Sequence, residues 1–418
     1  MPWGVLLFLT LINLLNFFDR YIVHAVEPIL KSEFVLTNKE SGLLGAAFVL
    51  GYFLFSPIFG FLGDRIDRRI LMAAGLFAWS LFTALTALSH TLYTFIAARA
   101  LVGIGEASFG AIVPGYLKGR VAGTLALNNA LALFYVAIPV GSALGFIAGG
   151  QIAMQWGWRP LFLLAALPGI VLAFGFLRIA PERRSLPKKE AAAGFIEGWR
   201  RILARPELRL IISGYVLNTF ALNGIAMFVV RHGTSLGMSE SEVASRFGFI
   251  LATTGLIGAL GGGRLASLLA ARMTNQVRGL LLFVSITTLL GAPFLFFAFL
   301  ATSPLIFFAS CFIAQIALFA GVAPLNSALV ERAPHGLETL TQGVTIFMIQ
   351  LFGAAIAPIT IGWVADMLTT EGIAGSSEQA LAYALQVATA AMVLSGVLWW
   401  LASRSNMGEE GSAASITR

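Results

Sequence analysis

The chain has 418 residues, of which 58% are apolar and 11% charged, with a formal net charge of +7. Water-facing domains carry about 25% charged residues, so a soluble multidomain protein is excluded and most of the outer face must meet lipid. The charge does not imply nucleic acid, because in a membrane chain the placement of Lys and Arg reports orientation, and the single Cys311, inside an apolar run, excludes intrachain disulfides and thiol metal clusters.

A bilayer core about 30 Å thick needs about 20 helical residues per crossing. Hydropathy predicts twelve such runs, at 3–30, 41–63, 70–89, 91–116, 123–153, 159–179, 209–231, 243–270, 279–300, 304–330, 339–368 and 379–402. The fold class is therefore an all-α membrane protein. Six runs form an N-terminal bundle over 1–179 and six a C-terminal bundle over 209–403, with a linker over 180–208 and a tail over 404–418. The first run is too long, and too polar at Asn13, Asn16, Asp19 and Arg20, to be a cleavable signal peptide, so it is expected to stay in the protein. Within the linker, Phe195, Ile196, Trp199, Ile202 and Leu203 fall inside about 120° of a helical wheel. That pattern suits a helix lying on the cytoplasmic leaflet; the alternative is a partly ordered tether.

Of the 27 Lys and Arg residues, 20 fall on the side of the even-numbered connections and the chain ends. The positive-inside rule makes that side cytoplasmic, with both termini inside. The two halves also repeat weakly. Gly60 to Arg65 (GFLGDR) closes the second run and Gly263 to Ser267 (GRLAS) the eighth, with Ser267 where the first copy has Asp64, and Pro139 and Pro358 correspond in the fifth and eleventh. Parallel repeats of this kind build a large class of transporters.

The segment from Gly60 to Arg69 (GFLGDRIDRR), directly after an apolar run, resembles the signature loop between the second and third helices of the major facilitator superfamily. The resemblance implies that Gly60, Asp64, Arg65 and Arg69 lock the cytoplasmic ends of the halves together when the transporter faces outward. The generic pattern has Gly where this chain has Asp67, and the plainer role for the arginines is a topology anchor. Trp156 to Arg159 (WGWR) resembles a structural element of the same superfamily. Asn13 to Tyr21 (NLLNFFDRY) and Arg99 to Ser108 (RALVGIGEAS) are similar to the spinster group, whose members move sphingolipids and lysolipids.

Four charges sit inside spans: Asp19, Arg20, Arg99 and Glu106. Unpaired, they would together cost roughly 10 kcal/mol on insertion scales, so they must be paired or wetted. Asn13, Asn16, Arg20, His24 and Glu27 lie within about 80° of one another on a helical wheel, a stripe fit to line a cavity, while Asp19 diverges from Arg20 by about 100°. Arg99 and Glu106 share a face two turns apart. In a superfamily fold, where the first and fourth helices pack together, the spacing predicts Asp19 against Arg99 and Arg20 near Glu106, with Gly103 and Gly105 permitting the approach. A carboxylate so placed is a candidate proton carrier, and a freed Arg20 or Arg99 could hold a phosphate in a bidentate contact. The alternative is a permanent network that only fixes helix register.

The second half offers only neutral groups in its central turns, among them Asn218, Asn223, Gln315, Gln342 and Gln350. One ionic wall and one apolar wall suit an amphiphile. Arg20, Arg99, Asn16, His24, Asn218, Asn223 and Gln315 are the candidate substrate contacts, and Phe220, Met227, Phe228, Phe347 and Phe352 candidate tail contacts, although such aromatics also serve ordinary packing. No nucleotide-cradling loop, nucleophile elbow or metal-ligand spacing occurs, so neither an enzyme nor a cofactor is expected. The expected activity is proton-coupled transport of a lysophospholipid or sphingoid lipid by alternating access, performed by a monomer. The alternatives are a drug/proton antiporter, suggested by Gly141, Gly145, Gly149 and Gly150, and a passive lipid scramblase or lipid sensor. Compact loops and the absence of Asn-x-Ser/Thr acceptors suggest a bacterial inner membrane.

Overall fold

The computed structural model describes residues 3–36, 38–179 and 194–405. Among these no strand occurs, and twelve helices are long and apolar enough to cross a membrane: α1 (Trp3–Glu33), α2 (Leu43–Gly63), α3 (Arg68–Thr86), α4 (Leu92–Lys118), α5 (Thr124–Trp156) and α6 (Trp158–Gly175) in the first half, then α7 (Pro206–Thr234), α8 (Glu242–Ala271), α9 (Gln276–Leu300), α10 (Pro304–Arg332), α11 (Glu338–Thr370) and α12 (Ser377–Arg404). Residues 406–418 of the predicted tail and 180–193 of the predicted linker lie outside the described residues, while Arg404 belongs to α12.

Starts and breaks follow from local chemistry. Thr91 caps α4 through a capping box with Thr94, Asn275 accepts from Arg278 N at the start of α9, and Ser303 caps α10 ahead of Pro304 at its first position. Gly157, at φ +85°, supplies the left-handed residue that separates α5 from α6. Pro139 lacks the N–H that would reach the Tyr135 carbonyl, and α5 is interrupted there at Val136. In α11 a π-helical stretch, Ile349–Ala354, precedes Pro358 in the same way, and α8 carries another over Gly258–Gly262.

Each half has its own core. Leu9, Ile12, Met72, Leu76, Ile112 and Val113 pack in the first; Ala221, Phe299, Phe307, Leu385 and Met392 in the second. Gly103 lets α4 lie against α2 so closely that a methyl group there would overlap the Phe48 carbonyl oxygen. At the end where the basic connections cluster, the two halves meet: α2 and α4 pack against α11, and α5 packs against α8 and α10.

A short helix, Phe195–Ala204, follows the undescribed part of the linker. Its apolar face does not lie free for a leaflet. Ile202 is fully buried among Leu208, Leu337, Leu340 and Trp399, Phe195 meets Phe61 edge-on at 5.4 Å, and Trp199 meets Phe347 at 5.7 Å. Only Ile196 of that face is largely exposed. The reason is local: Gly198 has no side chain, so the helix backbone settles over Leu340 at the start of α11.

Candidate functional site

Asp19 and Arg20 project in different directions from α1, as adjacent helical residues must. Asp19 turns toward α3 and α4. Its Oδ2 accepts from Arg99 Nη1 at 3.1 Å, its Oδ1 accepts from Thr83 Oγ1 at 3.2 Å, and its backbone carbonyl accepts from Arg99 Nη2 at 3.4 Å. Arg20 turns into the space between the halves, where its Nε donates to Glu106 Oε2 at 2.7 Å. The four intramembrane charges thus form two ion pairs between α1 and α4, each with the partner that the spacing predicts.

The pairs are not equivalent. Asp19 and Arg99 are both buried, the arginine 1% exposed, so in this arrangement no solute reaches Arg99 and it is not a wall of the cavity. Its place as a candidate substrate contact is corrected accordingly: the divergence of Asp19 from Arg20 carries it behind the cavity wall. Arg20 is 18% exposed and lines the cavity, while Glu106 behind it is completely buried and its Oε1 has no hydrogen-bond partner. The guanidinium carbon of Arg20 also lies over the rings of Tyr52, Phe17 and Phe48, at 4.4, 4.8 and 4.9 Å, an aromatic surround favourable to a cation.

The cavity at Arg20 has a volume of about 190 Å³ and is walled by both halves: Asn13, Asn16, Arg20 and Tyr52 on one side, Tyr215, Asn326, Gln342 and Gln350 on the other. Asn16 is where the polar stripe predicts it. His24 lies further along α1, exposed, beside Tyr21 and Phe146. Asn223 and Gln315 line a second, more apolar cavity of about 290 Å³, whose walls include Phe17, Phe146, Phe247 and Phe319. Phe17 borders both cavities. Asn218 is buried and lines neither, and the tail contacts expected at Phe220, Met227, Phe228, Phe347 and Phe352 are not on the apolar cavity. Met227 and Phe352 instead face outward, 63% and 45% exposed, because hydropathy does not distinguish the lipid-facing stripe of a helix from its inner one.

At the basic end, Asp64 joins the two halves. Its carboxylate accepts from the backbone N–H groups of Thr339 at 3.1 Å and Leu340 at 2.9 Å, two of the donors left free at the start of α11. An acid of one half therefore caps a helix of the other, with the helix dipole favouring the charge. Burial pushes the Asp64 carboxyl above its ordinary value, and Arg68 and the hydrogen bonds from Thr339 and Leu340 oppose that rise. Gly60 allows the contact, since a methyl there would come within 2.5 Å of the Thr339 carbonyl oxygen.

Arg68, which the motif reading did not name, sits at this contact, whereas Arg69 turns away from it. Arg68 is 3% exposed and donates to the carbonyls of Gly63 at 3.1 Å and Gly115 at 2.7 Å and to Asp64 at 3.3 Å, with Glu338 of the other half 3.8 Å away. Asp67 explains the difference. It caps α3 by accepting from Arg69 N and holds the Arg69 side chain at 2.7 Å, while Arg69 also donates to the Ile179 carbonyl within its own half. Arg65 stacks over Phe61 at 3.5 Å.

The second copy of the motif makes a matching contact. Asn128 of α5 donates to the Gly263 carbonyl at 2.7 Å and to Ser267 Oγ at 2.9 Å, and Ser267 donates to Asn129 Oδ1 at 2.8 Å. Sequence reasoning missed Arg68, Thr83, Tyr215 and Asn326. Thr83 and Asn326 had a signal, being polar residues within apolar runs.

The family model described as Major Facilitator Superfamily matches residues 9–358. Among curated proteins the chain is similar to human protein spinster homolog 1, at 31% identity over 85% of this chain and 72% of that protein, and to its Xenopus tropicalis counterpart, at 29% over 94% and 78%. A protein of Arabidopsis thaliana named a probable sphingolipid transporter, spinster homolog 1, is 27% identical over 84% of this chain and 80% of its own length. Among solved structures, a bacterial homolog to the human lysosomal transporter Spinster, in an inward-facing and unoccupied conformation, is similar with a TM-score of 0.64 at 23% identity, covering 97% of this chain and 98% of that one. The transporter FucP in the outward conformation gives a TM-score of 0.74 at 14% identity, covering 96% and 99%.

Proposed function

Because the chain belongs to the major facilitator superfamily and, within it, to the spinster group, we propose that this multi-pass membrane transporter moves a single-chain amphiphilic lipid by alternating access, driven by protons. The observation that carries the reading is the junction at Phe17 of an ionic cavity holding Arg20 with a mainly apolar one. An anionic head group at Arg20 and a hydrocarbon chain among Phe146, Phe247 and Phe319 would bury both parts of one molecule. A sugar would leave the apolar walls unsatisfied.

The coupling group is Glu106. Arg20 cannot hold both its carboxylate and a substrate anion at full strength, since each competes for the same guanidinium. Substrate binding weakens the ion pair, and a proton on Glu106 then removes a buried charge left without its partner. The buried Asp19–Arg99 pair positions α1 on α4 while this exchange occurs. With the basic end cytoplasmic, as its arginines favour, the contacts of Asp64 close the cytoplasmic side of the cavity. Spinster relatives include one named for sphingolipid transport, which accords with the lipid class.

The test uses purified protein in liposomes carrying a pH gradient and a labelled lysophospholipid. Uphill movement that Glu106→Gln abolishes is the expected result. Flux that ignores the gradient identifies a passive pathway and overturns the coupling.

A further inference from the structure

On the C-terminal wall of the ionic cavity three polar residues from three helices form a relay with only one orientation. The Val322 carbonyl can only accept, so the atom of Asn326 that lies 2.8 Å from it is the amide nitrogen Nδ2. The same nitrogen donates to Tyr215 Oη at 3.2 Å. Asn326 Oδ1 therefore faces Gln342, whose Nε2 donates to it at 2.9 Å. Two consequences are forced. Gln342 Oε1, on a side chain 5% exposed, is left as an acceptor with no hydrogen-bond partner. Tyr215, accepting through its oxygen, keeps its own hydrogen to donate. Both residues line the cavity with Arg20.

We infer that Tyr215 and Gln342 form an oriented donor and acceptor that read the substrate's head group, selecting lipids whose terminal head-group atom carries an N–H or O–H. The inference rests on the lipid reading above and narrows it. Arg20 takes the phosphate, Tyr215 adds a hydrogen bond to an anionic oxygen, and Gln342 Oε1 accepts from an ammonium or hydroxyl beyond the phosphate. A fully methylated ammonium has no hydrogen to give and leaves that buried oxygen unpaired, which is costly.

The experiment measures equilibrium binding of three lysophospholipids of one acyl length to the full-length protein, with phosphoethanolamine, phosphoglycerol or phosphocholine heads. The first two are expected to bind about tenfold more tightly than the third. In Gln342→Met, of similar volume, the three should bind alike at the phosphocholine level. Equal binding of all three to the unsubstituted protein, or a preference that survives Gln342→Met, overturns the assignment and leaves the lipid reading standing. No binding of any of the three overturns both. The comparison on the unsubstituted protein decides the matter even if the variant fails to fold.

Discussion

Asp64 caps a helix that is not its own: its carboxylate receives the backbone N–H of Leu340 at 2.9 Å, 276 positions away in the chain. Replacing Asp64 by Ala removes the acceptor from two helix-end donors at once, a loss of about 1–2 kcal/mol by the measure of other caps. The closed arrangement should lose about a factor of ten relative to the open one. Labelling of a cysteine placed at Thr339, in a Cys311→Ser background, reads the change as a faster reaction.

Acidity should act on the same contact. The Asp64 carboxyl is raised by burial in the closed arrangement and returns toward its ordinary value, about 3.9, once the ends part and water reaches it. Closing thus takes up a proton between those two values, so falling pH favours closure and the advantage is lost as pH rises through the raised value. Arg68 and Glu338 face the same contact and Lys118 and His335 lie against Glu338, so the comparison is with Asp64→Asn. The same labelling assay, run at descending pH, should show protection that Asp64→Asn flattens.

Gly60→Val should hold the basic end open. Its side chain would meet the Thr339 carbonyl and the Leu340 backbone, neither of which can yield without moving α11. Transport should fall to background while the protein still folds, and accessibility at Thr339 should be permanently high.

Asp19→Asn tests the buried pair. It leaves the Arg99 guanidinium, 1% exposed, facing a neutral amide, and breaking such a pair costs about 3–5 kcal/mol. A large fall in melting temperature is expected. Thr83→Val, which removes one hydrogen bond to Asp19, should cost about 1 kcal/mol and shift melting only slightly.

The apolar cavity has a convenient plug. Gly248 lines it, and a methyl group built there meets nothing within 4 Å. Gly248→Leu adds four carbons to the space a chain would occupy, which removes about 3 kcal/mol of chain burial at 0.8 kcal/mol per methylene. Affinity for a long-chain lysophospholipid should drop about a hundredfold, with binding of glycerophosphate unchanged. Because leucine is the better helix former, the loss would not reflect a weakened fold.

The ionic centre was legible in the sequence because lipid leaves so few options: four charges in apolar runs had to be paired or wetted, and the packing of the first and fourth helices that the superfamily resemblance implies left Asp19 facing Arg99 and Arg20 facing Glu106. The twelve spans were legible for the same reason. What escaped notice depended on which way neutral side chains point. Gln315 and Asn223, expected among the substrate contacts of the second half, line the apolar cavity, while Asn218 lines neither, and Asn326 was passed over although it orients Gln342. Arg68 was not singled out because the part played by Asp67, the one departure from the generic loop, depends on side-chain direction: it engages Arg69, while Arg68 reaches Gly115 and Glu338. For the linker helix the apolar stripe allowed either a place against lipid or a partly ordered tether. Ile202 instead found neighbours at the start of α11, since protein side chains there offer packing that a leaflet cannot.

The duplicated motif has not kept its chemistry in both copies. Where the first half presents a carboxylate, the second presents the hydroxyl of Ser267, held by the amides of Asn128 and Asn129. Added salt or a drop in pH can therefore loosen or tighten only one of the two fastenings directly, while the other stays indifferent to ions. Separation of the halves should begin at the ionic fastening and leave its neutral twin as the pivot.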